Sequence, residues 1–338
     1  MVDDEAPKSV AVWLFACAGM VVAMMVIGAI TRLTESGLSM VEWRPFIGAW
    51  PPSGEAEWQR VFSLYQQTSE YQLANTGMEL AEFKTIFWWE YIHRLWGRLI
   101  GVVFAVPFVV FLLMKKVPRW LTPHLVALFL LGGLQGVIGW WMVKSGFVDR
   151  TDVSQYRLTI HLGMAFAILA YLLWVALGIV SPRSQASPGG PRRLAWLAFG
   201  TVSLTVLAGG LVAGLNAGKT YNTWPLMDGD IVPAGVLDLS PWWLNGFENL
   251  ATVQFDHRML AYASVALIAW LWIAVRRAPV PARARRAANA LAAMAVLQAV
   301  LGVATLLLVV PLPLAVLHQA GAALLFSLSL WTVYELSG

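Results

Sequence analysis

Apolar residues run along this chain in long unbroken stretches separated by polar loops. The pattern lacks the period-2 alternation of half-buried strands and the one-sided stripe of surface helices. A helix crossing ~30 Å of hydrocarbon needs about 20 apolar residues. Stretches of that kind cover 10–30, 87–114, 121–143, 156–180, 194–215, 251–275, 287–310 and 314–334. The second and sixth begin among charged residues, so their starts are the least defined by pattern. The expected fold is an all-α membrane protein with eight transmembrane helices. The first stretch follows Asp3, Asp4 and Glu5 with a single Lys8. A secretory signal has a basic start and a shorter apolar core, and a transit peptide is rich in arginine. The stretch therefore reads as a retained first span.

The loops give an orientation. Lys115, Lys116 and Arg119 follow span two, Arg183, Arg192 and Arg193 follow span four, and Arg276, Arg277, Arg283, Arg285 and Arg286 follow span six. None of these loops contains Asp or Glu. The positive-inside rule places them, and both termini, in the cytoplasm. The loops 31–86 and 216–250 then face outward. They are rich in Trp, Pro and Gly, including Trp43, Trp50, Trp224, Pro225, Pro241, Trp242 and Trp243. They read as caps lying on the membrane surface.

Composition agrees. Of 338 residues, 59% are hydrophobic and only 12% charged, against about 25% charged in a soluble domain. A mean hydropathy of +0.66 excludes a disordered chain. The net charge of +4 comes from scattered loop residues, not from one basic face, so no nucleic-acid partner is expected. Cys17 is the sole cysteine and lies inside an apolar run. One thiol supports neither a disulfide framework nor a cysteine-based metal site.

The two halves echo each other. Trp43-Arg44-Pro45 pairs with Trp224-Pro225, and Glu90-Tyr91-Ile92-His93-Arg94 with Gln254-Phe255-Asp256-His257-Arg258. Residues 134–139 pair with 297–302, and His161-Leu162-Gly163 with His318-Gln319-Ala320-Gly321. An even number of spans per repeat preserves orientation, so the repeats are parallel, related by an axis along the membrane normal. The expected organisation is a four-helix half over 1–180, a cytoplasmic linker over 181–193 and a second four-helix half over 194–338.

Four of the five histidines, His93, His161, His257 and His318, lie near the start of an even-numbered span. All even spans start on the outer side, so the four share one depth, two per half. His124 sits at the cytoplasmic start of span three without a counterpart and reads as an interfacial residue. Ionisable groups inside a membrane are costly and tend to be functional. Two imidazoles from two helices suit the axial positions of a haem iron, whereas zinc calls for three or four ligands on one ion. Arg94 and Arg258, each beside a histidine, suit haem propionates. The competing reading of each histidine is a hydrogen-bonding helix-packing residue. The repeat-related placement of four favours two haems.

The halves differ at one informative position. Glu90 precedes His93 by one helical turn, and Gln254 stands there in the second half. A carboxylate can accept a proton or face developing positive charge; an amide cannot act as a base. Chemistry is therefore assigned to the first half and electron storage to the second. The alternative for Glu90 is an acid favoured at the positive end of the helix dipole, and the residue pattern leaves both open.

These residues resemble the heme A synthase family, over nearly the whole chain. The carriers are the stretch Thr31-Arg32-Leu33-Thr34-Glu35-Ser36-Gly37-Leu38-Ser39, Glu90-Tyr91-Ile92-His93-Arg94, Tyr221-Asn222-Thr223-Trp224-Pro225-Leu226-Met227, Asp256-His257-Arg258, and His161 and His318. The resemblance implies oxidation of the C8 methyl of heme O to a formyl group, in two steps through an alcohol and a hydrated aldehyde, for cytochrome oxidase biogenesis. It implies that His93 and His161 serve the substrate haem, that His257 and His318 hold a haem b cofactor, and that Glu90 takes part in catalysis. It further implies a homo-oligomer in a bacterial inner membrane, with haem sites on the periplasmic side, working beside heme O synthase and oxidase assembly factors. Some bacterial members carry a cysteine pair in the first outer loop; this chain resembles the cysteine-free type. Two other classes fit parts of the pattern: a diheme cytochrome exchanging electrons with quinone, and a transporter with parallel repeats, for which Gln135 and Gln298 are the main midplane polar groups.

Overall fold

The computed structural model describes residues 6–42, 50–146, 153–181 and 189–337. Trp43, Arg44, Pro45, Arg183, the acidic start and most of the linker lie outside the described residues. Eight long helices are present: α1 (Lys8–Leu33), α4 (Leu80–Leu113), α5 (Thr122–Ser145), α6 (Gln155–Val180), α7 (Gly189–Gly214), α9 (Leu250–Arg277), α10 (Ala282–Leu307) and α11 (Leu312–Ser337). All are long and apolar enough to span a bilayer, and the chain is a multi-pass membrane protein. Shorter helices α2 (Glu55–Tyr65) and α3 (Ser69–Leu73) lie in the loop between α1 and α4, and α8 (Asn245–Glu248) in the loop between α7 and α9. Among the described residues the only β-type pairing is one bridge, Met227 to Asp230.

The long helices match the apolar stretches closely, except at one end. Span two begins at Leu80, a full seven residues before the apolar run. The Glu79 N–H donates to Glu82 Oε2 at 3.0 Å, a capping-box bond that lets the helix start among polar residues. At 34 residues, α4 is about 51 Å long, so its first turns stand clear of the hydrocarbon. They pack against α2 through Phe62, Tyr65, Phe83, Phe87 and Tyr91. This aromatic knot roots the first outer loop on the helix that carries His93.

Neighbouring helices form two closed rings. In one, α1 touches α4, α4 touches α5, α5 touches α6, and α6 returns to α1. In the other, α7 touches α9, α9 touches α10, α10 touches α11, and α11 returns to α7. The rings meet through α6–α7, α1–α11 and α6–α11. Exchanging first spans for fifth, and fourth for eighth, maps the first of these contacts onto the second. That is the pattern expected of two equivalent units about an axis along the helices.

Lipid offers no hydrophobic drive for helix association, so close packing and internal hydrogen bonds must supply it. Phe326 of α11 lies 4.9 Å from Phe166 of α6 and 5.0 Å from Phe199 of α7, centroid to centroid, where the rings join. Trp13 donates to the Val103 carbonyl at 2.8 Å and Trp96 to the Met20 carbonyl at 3.0 Å, binding α1 to α4. Where the C-terminal end of α7 meets the start of α6, Gly210 and Gly214 let the two helices approach. A Cβ on Gly214 would stand 2.6 Å from Gln155 Cα. Arg32, at the end of α1, reaches across the seam and donates to the Ala213 carbonyl at 3.0 Å. A cation on the last carbonyls of α7 is well placed against that helix dipole.

Candidate active site

The four histidines occupy equivalent places. His93 is on α4, His161 on α6, His257 on α9 and His318 on α11. Each ring rests against a glycine of the preceding span. Modest space is left: a Cβ on Gly28 would lie 3.1 Å from His93 Cε1, and on Gly139 3.0 Å from His161 Cε1. In the other unit the distances are 3.1 Å from Gly209 to His257 and 3.0 Å from Gly302 to His318. Any side chain larger than hydrogen would push against the ring. The imidazoles fall two to each closed ring of helices, His93 and His161 in one and His257 and His318 in the other. Among the described residues no group of three or more His, Cys, Asp or Glu converges on one point. The histidines therefore present two separate pairs.

These seats suit axial ligation. The Nδ1 atoms of His93 and His161 are buried without a hydrogen-bond partner, an arrangement costly for a ring that only packs. A glycine against each ring leaves the room that the imidazole occupies. His124 differs in every respect. Its Nδ1 lies 2.8 Å from the Tyr171 hydroxyl, an ordinary satisfied inter-helix bond.

Around each seat the same framework recurs. Arg94 Nε donates to Glu90 Oε1 at 2.6 Å, and the pair is nearly buried. Its Nη2 donates to the Met40 carbonyl at 3.1 Å and its Nη1 to the Glu42 carbonyl at 3.3 Å. Arg258 Nη2 donates to Gln254 Oε1 at 2.9 Å and to the Tyr221 carbonyl at 2.6 Å, and Nη1 to the Thr223 carbonyl at 3.0 Å. One constant shift along the chain relates Gly28 to Gly209, Met40 to Tyr221 and Glu42 to Thr223. The same shift relates Glu35 to Asn216, both left-handed, with φ of 53° and 55°. Each arginine thus fastens an outer loop onto the helix that carries a histidine. The sequence pattern suggests propionates as partners of these arginines; what the structure shows is their bonds to loop carbonyls.

The acid and the amide are held differently. Gln254 Nε2 donates to the Ala217 carbonyl at 2.8 Å and also to the Thr220 carbonyl. It is a structural brace. A carboxylate has no N–H for such bonds, and Glu90 is paired with Arg94 instead. In the first unit a hydroxyl takes over part of the bracing: Ser39 Oγ donates to the Ser36 carbonyl at 2.7 Å and to that of Ile86 at 3.3 Å. The motif over 31–39 is therefore loop-building chemistry beside the acid.

Sequence reasoning missed the four glycines as ring seats and the arginine bonds to the loops. Gly139 and Gly302 fall inside the repeated stretches 134–139 and 297–302, which is the signal that could have found them.

Comparison with known proteins fits this geometry. Residues 11–330 match the family model COX15-CtaA, described as cytochrome oxidase assembly protein. The chain is 52% identical over 335 residues to the heme A synthase of Nitrosospira multiformis, covering 97% of this chain and 94% of that one. It is 55% identical over 333 residues to the heme A synthase of Rhodospirillum centenum, covering 98% and 89%. The heme A synthase of Nitrosomonas eutropha is 48% identical over 333 residues, covering 97% and 94%. With two histidines in each closed ring of an eight-helix frame and a family match over nearly its full length, the chain belongs to the COX15-CtaA family of cytochrome oxidase assembly proteins.

Proposed function

We propose that this protein is a heme A synthase: a membrane oxidoreductase that converts the C8 methyl of heme O to a formyl group, supplying heme A for cytochrome oxidase. The observation that carries this reading is the placement of four imidazoles, two in each four-helix ring, each against its own glycine. In this reading the unit over 1–180 holds the substrate between His93 and His161, and the unit over 194–338 holds a haem b between His257 and His318. A bound haem b supplies one-electron transfer. The chain supplies the rest. Glu90 stands one turn from His93, fixed by Arg94, where it can take a proton or face positive charge developing at the substrate's reacting carbon. Gln254 can do neither, so oxidation belongs to the first unit, which disfavours a purely electron-transferring cytochrome. Arg94 and Arg258 stand beside the seats, with donors suited to propionates. The farnesyl tail of heme O would stay in lipid. The basic loops orient both termini to the cytoplasm and the seats to the periplasmic side of a bacterial inner membrane. A homo-oligomer working beside heme O synthase and oxidase assembly factors completes the reading.

The test is expression with and without heme O synthase, followed by extraction and chromatography of the haems. The protein should yield formyl-haem only when heme O is present. Glu90→Gln should keep the b-type spectrum and yield no heme A. Normal heme A from that variant overturns the role of Glu90, and no heme A from the unaltered protein overturns the function.

A further inference from the structure

The four rings share their glycine seats but not the way their second nitrogen is held. His257 Nδ1 lies 3.1 Å from the Thr205 carbonyl. His318 Nδ1 lies 3.1 Å from the side-chain amide of Gln298, which also donates to the His318 carbonyl at 2.9 Å. Gln298 Oε1 is buried without a partner. A half-turn of that amide, with a small shift away from the His318 carbonyl, gives up the carbonyl bond and sets Oε1 as acceptor on Nδ1–H, the tautomer that leaves Nε2 free for iron. By contrast, the Nδ1 atoms of His93 and His161 have no partner.

The cause lies in neighbouring residues. Gln135 holds in α5 the position that Gln298 holds in α10. It donates to the His161 carbonyl at 3.0 Å but has no bond to the ring. Gly321, three residues after His318, makes room for the second amide, because a Cβ there would collide with Gln298 Oε1. Three residues after His161 stands Met164, packed against the core. Gly321 opens the space through which an amide reaches a ring, and Met164 has no such opening to give.

Resting on the function proposed above, we infer that these ring anchors decide which haem stays. The Thr205 carbonyl and Gln298 are positioning groups that lock His257 and His318 in one rotation and retain their haem. His93 and His161, unanchored, turn more freely and release theirs, as a site that takes in a substrate and gives out a product requires. Outer partners of metal-bound imidazoles are worth about 10- to 100-fold in metal affinity.

The experiment mixes purified protein carrying both haems with excess apomyoglobin and identifies the transferred haem by chromatography at intervals. O- or A-type haem should leave first and haem b slowly. Gln298→Leu should speed loss of haem b by about tenfold or more and shift its low-spin electron paramagnetic resonance signal. Gly321→Ala, which displaces the same amide, should act in the same direction. Gln135→Leu loses the equivalent inter-helix bond without touching a ring, and should leave haem b retention and its signal unchanged. Met164→Gly should slow release from the first unit. Equal loss rates for the two haems, or haem b retention unaffected by Gln298→Leu, would overturn the inference. So would an equal effect of Gln135→Leu. A protein that carries no haem at all would instead refute the function itself, so the two failures are distinct.

Discussion

The glycine seats make the sharpest prediction. In Gly302→Ala the new Cβ would stand 3.0 Å from His318 Cε1, 3.6 Å from Nδ1 and 3.9 Å from Nε2. Carbon atoms rest at about 3.5–4.0 Å, so the ring must retreat by roughly 0.5–1 Å. Ligand constellations tolerate about 0.5 Å. Overpacking of this size costs about 1–3 kcal/mol, and haem affinity should fall by roughly 5- to 150-fold at 1.4 kcal/mol per tenfold. Alanine also favours the helix over glycine by up to about 1 kcal/mol, so thermal stability alone would mislead. Gly136→Ala is the matched control, since its added methyl meets nothing within 4 Å. The assay is titration of haem b into protein made under haem limitation, read by the reduced-minus-oxidised spectrum. Gly302→Ala binding haem b with unaltered affinity and spectrum would refute the seat, as would equal weakening by Gly136→Ala.

Two further outcomes follow from the same geometry. Arg258→Gln removes the bonds to the Tyr221 and Thr223 carbonyls, each charge-assisted and worth about 1.5–3 kcal/mol. Limited proteolysis should cut the loop 216–250 at least tenfold faster while the loop 31–86 keeps its resistance; an unchanged pattern would show that the arginine does not fasten the loop. His124→Phe removes only the bond to Tyr171, so haem content should be unaltered and the melting temperature lower by a few degrees, about 1 kcal/mol. Loss of a haem signal would overturn the reading of His124 as an interfacial residue.

Much of this protein is legible in its sequence because the bilayer forces a simple code. A span must be apolar over its whole length, so seven of the eight long helices lie within a few residues of the apolar stretches at both ends. The exception, α4, begins in a polar segment where capping governs and hydropathy is silent. The histidines were legible because they are ionisable groups at one repeated depth. The seats were not, because a glycine announces only the absence of a side chain, and what fills the space belongs to another helix. Gly28 and His93 lie far apart along the chain, and only packing shows them in contact. The helices α2 and α3 also escaped, since their apolar faces answer to an aromatic knot with α4 that the loop sequence alone does not reveal.

The two units share matching glycine seats and differ in what surrounds them. In their most apolar stretch only 6% of α4 and 6% of α5 is buried, against 28% of α9 and 22% of α10, whereas α1 is more buried than α7, 44% against 22%, and α6 and α11 are equal. Gly132 of α5 has open space where a Cβ would project, while its counterpart Ala295 of α10 is 4% exposed. Elements with fewer buried contacts open at lower free energy. A haem with a long apolar tail that arrives from lipid and departs to it requires such an opening; a haem that stays requires a closed bundle. The unit with the more open second and third spans is also the one where Glu90 stands in place of Gln254 and where the Nδ1 atoms of His93 and His161 have no partner. Under the function proposed above, exchange, freedom of the ligands and the carboxylate would then fall together on the side of His93 and His161.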